Sequence, residues 1–364
     1  MDLVREQRRH PHLRHLHLLL PYVTGQPCPT ASASTDTGLI QWSVNNLTGA
    51  RSVYTYDPAN RLTGATNYGG HSYGYTYDVN GNRTTQVTDG VTTQSLTFDT
   101  ASNEITSAGG WIYDGAGNLT HHPTFANLAY NQAGQMVSAG TATYTYAGPD
   151  QAELTHQDLN VTGQTYDYVY SRPTPQGVPT LDSVTKGGTT TTYITNDPVT
   201  GAPQGMTLST GQNDYFATDG QGSVVGLISG TSGGTVLATY TYDPYGVITA
   251  TTGSGTAFAT NPYFHAGGLG DPKTSWNRHG VRYNDNTTGR WTTTDPITRL
   301  ANPDPYTNDN PVNHADFTGR DGDQAIAAAI CGVAGTAFGF IGVLPGLVIG
   351  IGCTIIGVGD ALTS

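Results

Sequence analysis

The chain has 364 residues, of which only 36% are hydrophobic, too few aliphatics for an ordinary enzyme core of that length. Its net charge of −12, with only two lysines, Lys186 and Lys273, argues against a nucleic-acid partner, because a phosphate backbone is held by clustered cations. Twenty-two Tyr against eight Phe, 48 Gly, and Thr runs such as residues 189–192 favour short strands and tight turns over helices. An all-β body is expected.

Residues 1–45 read as an unstructured leader, or as the stump of a longer protein whose upstream repeats are missing. A basic stretch there runs into His15-Leu16-His17-Leu18-Leu19-Leu20, too short and too His-interrupted for a secretion signal. Cys28, Cys331 and Cys353 lie too far apart for zinc-ligand spacing, and the eleven His are scattered or crowded near the start. No metal and no other cofactor is expected.

From residue 46 to 260 one unit recurs: an aromatic, Asp or Asn, two or three loop residues containing Gly or Asn, then Leu or Thr. Copies read Tyr56-Asp57-Pro58-Ala59-Asn60-Arg61-Leu62-Thr63, Tyr77-Asp78-Val79-Asn80-Gly81-Asn82-Arg83-Thr84 and Phe98-Asp99-Thr100-Ala101-Ser102-Asn103-Glu104-Ile105-Thr106. Tyr113-Asp114-Gly115-Ala116-Gly117-Asn118-Leu119-Thr120 and Tyr130-Asn131-Gln132-Ala133-Gly134-Gln135-Met136-Val137 follow. Each unit is expected to be a β-hairpin: the aromatic closes a strand, Asp accepts hydrogen bonds from its turn, and Gly or Asn supplies positive φ. A lone hairpin cannot bury its face, so successive hairpins stack edge to edge, and the spacing predicts one solenoid-like strip.

These motifs resemble the tyrosine-aspartate repeats of RHS proteins, toxin-complex C components and teneurins. The similarity continues through residues 215–225, through Tyr240-Thr241-Tyr242-Asp243-Pro244-Tyr245-Gly246, and into Asn261-Pro262-Tyr263-Phe264-His265, covering roughly residues 50–320. Residues 147–210 match less well and read as an insertion or linker. The resemblance implies stacked β-hairpins forming a curved, shell-like sheet.

Residues 261–320 look like the RHS repeat-associated core, with Gly280-Val281-Arg282-Tyr283-Asn284-Asp285, Gly289-Arg290-Trp291, Asp295-Pro296 and Asp316-Phe317-Thr318-Gly319-Arg320. The resemblance implies a single-turnover aspartyl self-cleavage site of Arg282, Asp295 and Asp316, cutting between Arg320 and Asp321. Paired carboxylates suit that chemistry: one ionised Asp activates water while a protonated partner supports the carbonyl oxygen. The sequence departs from the family pattern with Phe317 for Pro, Arg320 for Leu and Thr298 for Gly. The plain alternative is that Asp295 and Asp316 only close turns.

Residues 321–364 form a glycine-rich apolar tail, with residues 325–359 free of charge. Leu344-Pro345-Gly346 splits it, leaving nineteen residues before the break, roughly 28 Å as a helix and close to a bilayer's hydrocarbon thickness. Glycines at 335, 339, 342, 346 and 350 would let two helical arms approach closely in lipid. The expected function is that of a secreted or cell-surface toxin of the RHS type, enclosing a C-terminal effector. Its expected partners are a target-cell membrane for the tail and an immunity protein. The alternative from a different class is a non-catalytic surface protein that binds carbohydrate.

Overall fold

The structure is a computed structural model and describes residues 39–45, 50–148, 151–173, 179–198, 201–231, 234–295, 302, 304–320 and 324–325. Among these the chain is antiparallel β, relieved only by a short helix, Thr256–Thr260, and brief helical turns. Each strand pairs with its sequence neighbours. Six of them, from Trp42–Asn45 to Val91–Ser95, make one sheet, and fourteen, from Ile112–Tyr113 to Ile248–Gly253, make a second; neither closes on itself.

Every Tyr-Asp unit is turned by its own Asp. Asp57 Oδ1 accepts the amides of Ala59 and Arg61, Asp78 Oδ1 those of Asn80 and Asn82, and Asp114 Oδ1 those of Ala116 and Asn118. Asn131 does the same for Ala133 and Gln135. The third residue after each stands at positive φ, Asn60 at 64°, Gly81 at 86°, Gly117 at 81° and Gly134 at 74°, which is why only Asn or Gly occurs there. Two residues further on the chain dives into the core: Leu62, Leu119 and Met136 are at most 3% exposed.

The tyrosines latch one unit to the one before. Tyr77 donates its hydroxyl proton to the Leu62 carbonyl, Tyr146 to that of Met136 at 2.7 Å and Tyr242 to that of Val224 at 2.7 Å. Burying the aliphatic side chain contributes about 1.5–3 kcal/mol, against about 1 kcal/mol for the hydroxyl bond. Burial therefore drives the stacking, and the hydroxyl sets its register. A register shift falls immediately before the closing tyrosine, between Thr55 and Tyr56, Thr76 and Tyr77, Thr145 and Tyr146, and Thr241 and Tyr242.

The structure corrects three expectations. The strip is not continuous: between Ser95 and Ile112 the ladder breaks, and only the isolated bridge Phe98–Ile105 remains. The turn there is one residue longer, with Asp99 Oδ1 accepting from Ala101 and Ser102 and the positive φ delayed to Asn103. Residues 147–210 are neither insertion nor linker. Glu153–Asp158, Thr165–Tyr170, Leu181–Lys186, Thr190–Asn196 and Pro203–Leu208 are successive strands of the second sheet, with Leu181, Met206 and Leu208 buried. Finally, the end of the presumed leader is structured, since Trp42–Asn45 is a strand and the Ile40 amide donates to Asn313 Oδ1 at 2.6 Å.

After the second sheet come four short strands, Leu269–Gly270, Asn277–His279, Arg282–Asp285 and Arg290–Trp291. The last three are buried throughout although mostly polar. Long-range hydrogen bonds offset much of that burial, although Asn277 Nδ2, Arg278 Nε, His279 Nε2, Arg282 Nη1 and Asn284 Oδ1 have no hydrogen-bond partner among the described residues. Arg290 donates to Asn82 Oδ1 at 2.7 Å and to the Asn103 carbonyl at 2.8 Å, both near the first sheet. Arg278 donates to the Ala152 carbonyl at 2.7 Å, and the Thr292 carbonyl accepts the Leu119 amide at 2.9 Å, both on the second. A last pair, His314–Ala315 with Gln324–Ala325, leads toward the tail. The tail's expected helices and the three cysteines lie outside the described residues. No helix among the described residues is long and apolar enough to cross a membrane.

Candidate functional site

Two tight turns cross near the end of the core segment. One, His279-Gly280-Val281, feeds the strand Arg282–Asp285; the other, Asp316-Phe317-Thr318-Gly319, follows the strand His314–Ala315. They meet main chain to main chain, the Val281 amide donating to the Thr318 carbonyl at 3.1 Å. A Cβ on Gly280 would stand 2.0 Å from the Thr318 oxygen, and one on Gly319 2.4 Å from the His279 oxygen. With φ of 49° and 64°, both positions need glycine twice over, for conformation and for room.

The crossing assembles a buried centre. Arg282 Nη2 donates to Asp295 Oδ2 at 2.8 Å and to Asp316 Oδ2 at 3.3 Å, while its Nε donates to the Gly319 carbonyl at 2.6 Å. Its guanidinium lies over the Trp291 ring, 4.1 Å from the centroid. Asp316 Oδ1 accepts the amides of Thr318 and Gly319 and the Thr318 hydroxyl, at 2.9–3.1 Å. The three charged side chains are 3%, 3% and 0% exposed. Burial pushes the Asp316 carboxyl up, with Arg282 and the turn's hydrogen bonds pulling the other way. Burial pulls the Arg282 guanidinium down, opposed by Asp295, Asp316 and Asp304.

Aromatic rings close the neighbourhood. His279 packs edge-on against Trp291 at 5.9 Å and lies tilted by 32° against Tyr306 at 5.6 Å, and His265 lies 6.1 Å from Tyr306. Burial holds both imidazoles neutral, pushing His265 down to about 4 and His279 down to about 3, with His265 and Arg282 adding to the latter. Tyr306 is fully buried and enters a turn in which Thr307, Asn308 and Asp309 all stand at positive φ, 50°, 50° and 61°. Three such non-glycine residues in a row cost several kcal/mol, roughly 1–2 each, and surrounding packing must hold them.

The structure thus brings Arg282, Asp295 and Asp316 together across 34 residues of sequence. Arg320 follows directly, partly buried, its amide donating to Thr318 Oγ1 at 3.1 Å. Asp321, Pro296 and Thr298 lie outside the described residues. Phe317, the departure from the family's Pro, packs beside Ala266 and Ala315 and would be 3.8 Å from a Cβ on Gly222. Sequence reading missed His279, Tyr306 and the stacking role of Trp291. The glycines at 280 and 319, flanking Arg282 and Asp316, were the signal that two backbones touch there. Among the described residues, no group of three or more His, Cys, Asp or Glu is placed to hold a metal ion.

A ladder of Asp-turned, Tyr-latched hairpins holding a buried polar segment defines a tyrosine-aspartate repeat protein. Residues 37–315 match the teneurin YD-shell family, and the chain belongs to it. It is an RHS-type repeat protein related to teneurins and to toxin-complex components. No curated protein matches the sequence. Among solved structures it is similar to TcdB2-TccC3-Cdc42, at 18% identity over 77% of this chain and 16% of that one, TM-score 0.58. It is also similar to TcdB2-TccC3 without its hypervariable C-terminal region, at 17% identity over 74% and 15%, TM-score 0.59. A third is the Photorhabdus luminescens Tc holotoxin pore, at 15% identity over 76% and 15%, TM-score 0.52. At these identities the likeness concerns the fold, and the chain spans about 16% of the length of the structures it matches.

Proposed function

We propose that this chain is the closing part of an RHS-type toxin shell acting outside the cell that makes it, and that it cuts itself after Arg320 to free its C-terminal tail. One observation carries this reading: three residues scattered over 34 positions converge on a buried centre at the last turn before the tail. Asp316, pushed up by burial, holds the proton and supports the carbonyl oxygen of residue 320. Asp295 takes a proton from water, whose oxygen attacks that carbonyl; the bond to the nitrogen of Asp321 then breaks as Asp295 passes that proton to the leaving amine, and residue 320 ends as a free carboxyl group. Arg282 orients both carboxylates and, through its bond to the Gly319 carbonyl, the strand to be cut.

Further support comes from the relatives, one of which is described as having a hypervariable C-terminal region. The curved, enclosing shape is part of the proposal: the antiparallel strip would wrap the uncharged tail, residues 325–359, until delivery. The tail would then insert in a target-cell membrane, with an immunity protein guarding the producer. The cut is tested by intact mass of the purified chain on long incubation. Fragments ending at 320 and beginning at 321 are expected, with Asp295→Asn and Asp316→Asn remaining whole; a wild-type chain that stays uncut removes the activity. Dye release from liposomes by a synthetic 321–364 peptide tests insertion.

A further inference from the structure

Where the ladder breaks, between Ser95 and Ile112, the turn at residues 99–103 meets Arg290 of the core segment. Arg290 is 4% exposed and its fork is full: Nη1 donates to Asn82 Oδ1 at 2.7 Å, and Nη2 donates to the Asn103 carbonyl at 2.8 Å and to Asp304 Oδ2 at 2.6 Å. The guanidinium also lies over the Phe98 ring, 5.0 Å from its centroid. Asn82 is fully buried and shared, accepting from Asn302 Nδ2 at 2.8 Å and donating to Asp78 Oδ2 at 2.8 Å and Asn103 Oδ1 at 3.0 Å. One guanidinium thus grips two successive repeat turns, 78–82 and 99–103. Neither needs it to close, since Asp78 and Asp99 already accept the amides of their own turns. Burying a cation costs desolvation, and here that cost does not serve the hairpins.

The other end of the tie is the Arg282 centre. The strand Arg290–Trp291 pairs with Arg282–Asp285, placing Arg290 opposite Asp285 and Trp291 opposite Asn284, and the Trp291 amide donates to the Asp304 carbonyl at 2.8 Å. The ring fixed in this way carries the Arg282 guanidinium at 4.1 Å. Asp304 is a third carboxylate whose charge reaches Arg282; Arg290 engages it, which leaves Arg282 to Asp295 and Asp316. With turns 78–82 and 99–103 out of place, Arg290 would lose two of its three acceptors, and both the ring beneath Arg282 and the balance of charge around it would change.

We propose that Arg290 is a positioning residue for the cut after Arg320, making it conditional on the seating of the first sheet: the two repeat turns dock on the core segment first, and the chain is cut afterwards. Arg290 touches no reacting atom and acts through Trp291 and Asp304. The inference rests on the self-cleavage reading and adds an order of events to it.

Intact mass of the full chain, followed in time after cell-free synthesis, tests this in wild type, Arg290→Met, Arg290→Lys and Asn82→Ala. Asn131→Ala, which removes the corresponding turn acceptor in the second sheet, is the control. Arg290→Met and Asn82→Ala are expected to cut at least about tenfold more slowly than wild type, Arg290→Lys to fall between, and Asn131→Ala to match wild type. The deficit of Arg290→Met should shrink in acid, where Asp304, relieved of Arg290, takes up a proton. Should Arg290→Met fail to fold, Arg290→Lys, which keeps the charge but not the fork, and Asn82→Ala read the same tie. The proposal falls if these folded variants cut as fast as wild type, if Asn131→Ala is slowed as much as they are, or if the Arg290→Met deficit is the same at every pH. A wild-type chain that stays whole ends the self-cleavage reading itself, whereas a wild type that cuts beside equally fast variants ends only the role of Arg290.

Discussion

Asp78 in the first sheet and Asp316 in the core segment open similar turns, each using Oδ1 to accept amides two to four residues ahead and each followed by a glycine at positive φ in the third position. They part company at Oδ2. In the hairpin it accepts Asn82 Nδ2 at 2.8 Å, four residues away, whereas at Asp316 it faces Arg282, 34 residues back. The carboxylate of the repeat is therefore engaged within its own few residues, and the turn it makes can be copied along the chain. The core segment depends on partners from afar, so a single change there strands several buried groups at once.

The largest effect that would sharpen this contrast comes from Arg282→Met. It leaves Asp295 and Asp316 buried without their cation and should cost about 3–5 kcal/mol by denaturant unfolding, against about 1–2 kcal/mol for Asp78→Ala, a half-exposed turn. Equal losses at the two sites would erase the distinction.

Next is acid. His265 and His279 sit below the ordinary histidine range of about 6.5. Their neutral forms thus contribute stability that is complete above that value and fades as pH falls toward about 4 and about 3. Asp219 and Asp243, pushed up to about 6 by burial, and Asp309, pushed up to about 7, act in the opposite sense: their contribution is present at low pH and lost as pH rises through 6–7. Measuring wild type against His279→Gln isolates the histidine. The difference in unfolding free energy should shrink below pH 6.5 by up to ~1.4 kcal/mol per pH unit, and a flat difference would show that His279 takes up its proton without opening the core.

The smallest test is Tyr242→Phe, which removes the hydroxyl donor from the Val224 carbonyl and nothing else. A loss of about 1 kcal/mol is expected in thermal unfolding; no loss would mean that apolar packing alone fixes the register of the hairpins.

How far the sequence could be read follows the same divide. The Asp-turned hairpins were legible because their cause is local: the carboxylate, the amides it accepts and the positive-φ residue lie within five positions. Residues 147–210 went unrecognised because their strands keep the alternation of buried residues, as at Leu181, Ser183 and Ile194, while dropping the Tyr-Asp signature at their turns. For Arg282, Asp295 and Asp316, family likeness suggested the three as a set, but spacing alone could not say that they meet. The fully buried polar strands and the neutral histidines beside Tyr306 were beyond pattern reading, since His and Asn ordinarily mark surfaces.

The irregularity that precedes each closing tyrosine has a geometric consequence. A bulge increases a strand's twist and bends it, and here it recurs at one place in unit after unit. On the proposed curved shape, bend would accumulate in proportion to the number of hairpins, so the length of the arc would be written into the count of copies while its radius stays fixed by the bend per unit. Gaining or losing a unit would resize the arc without redesigning any of its parts.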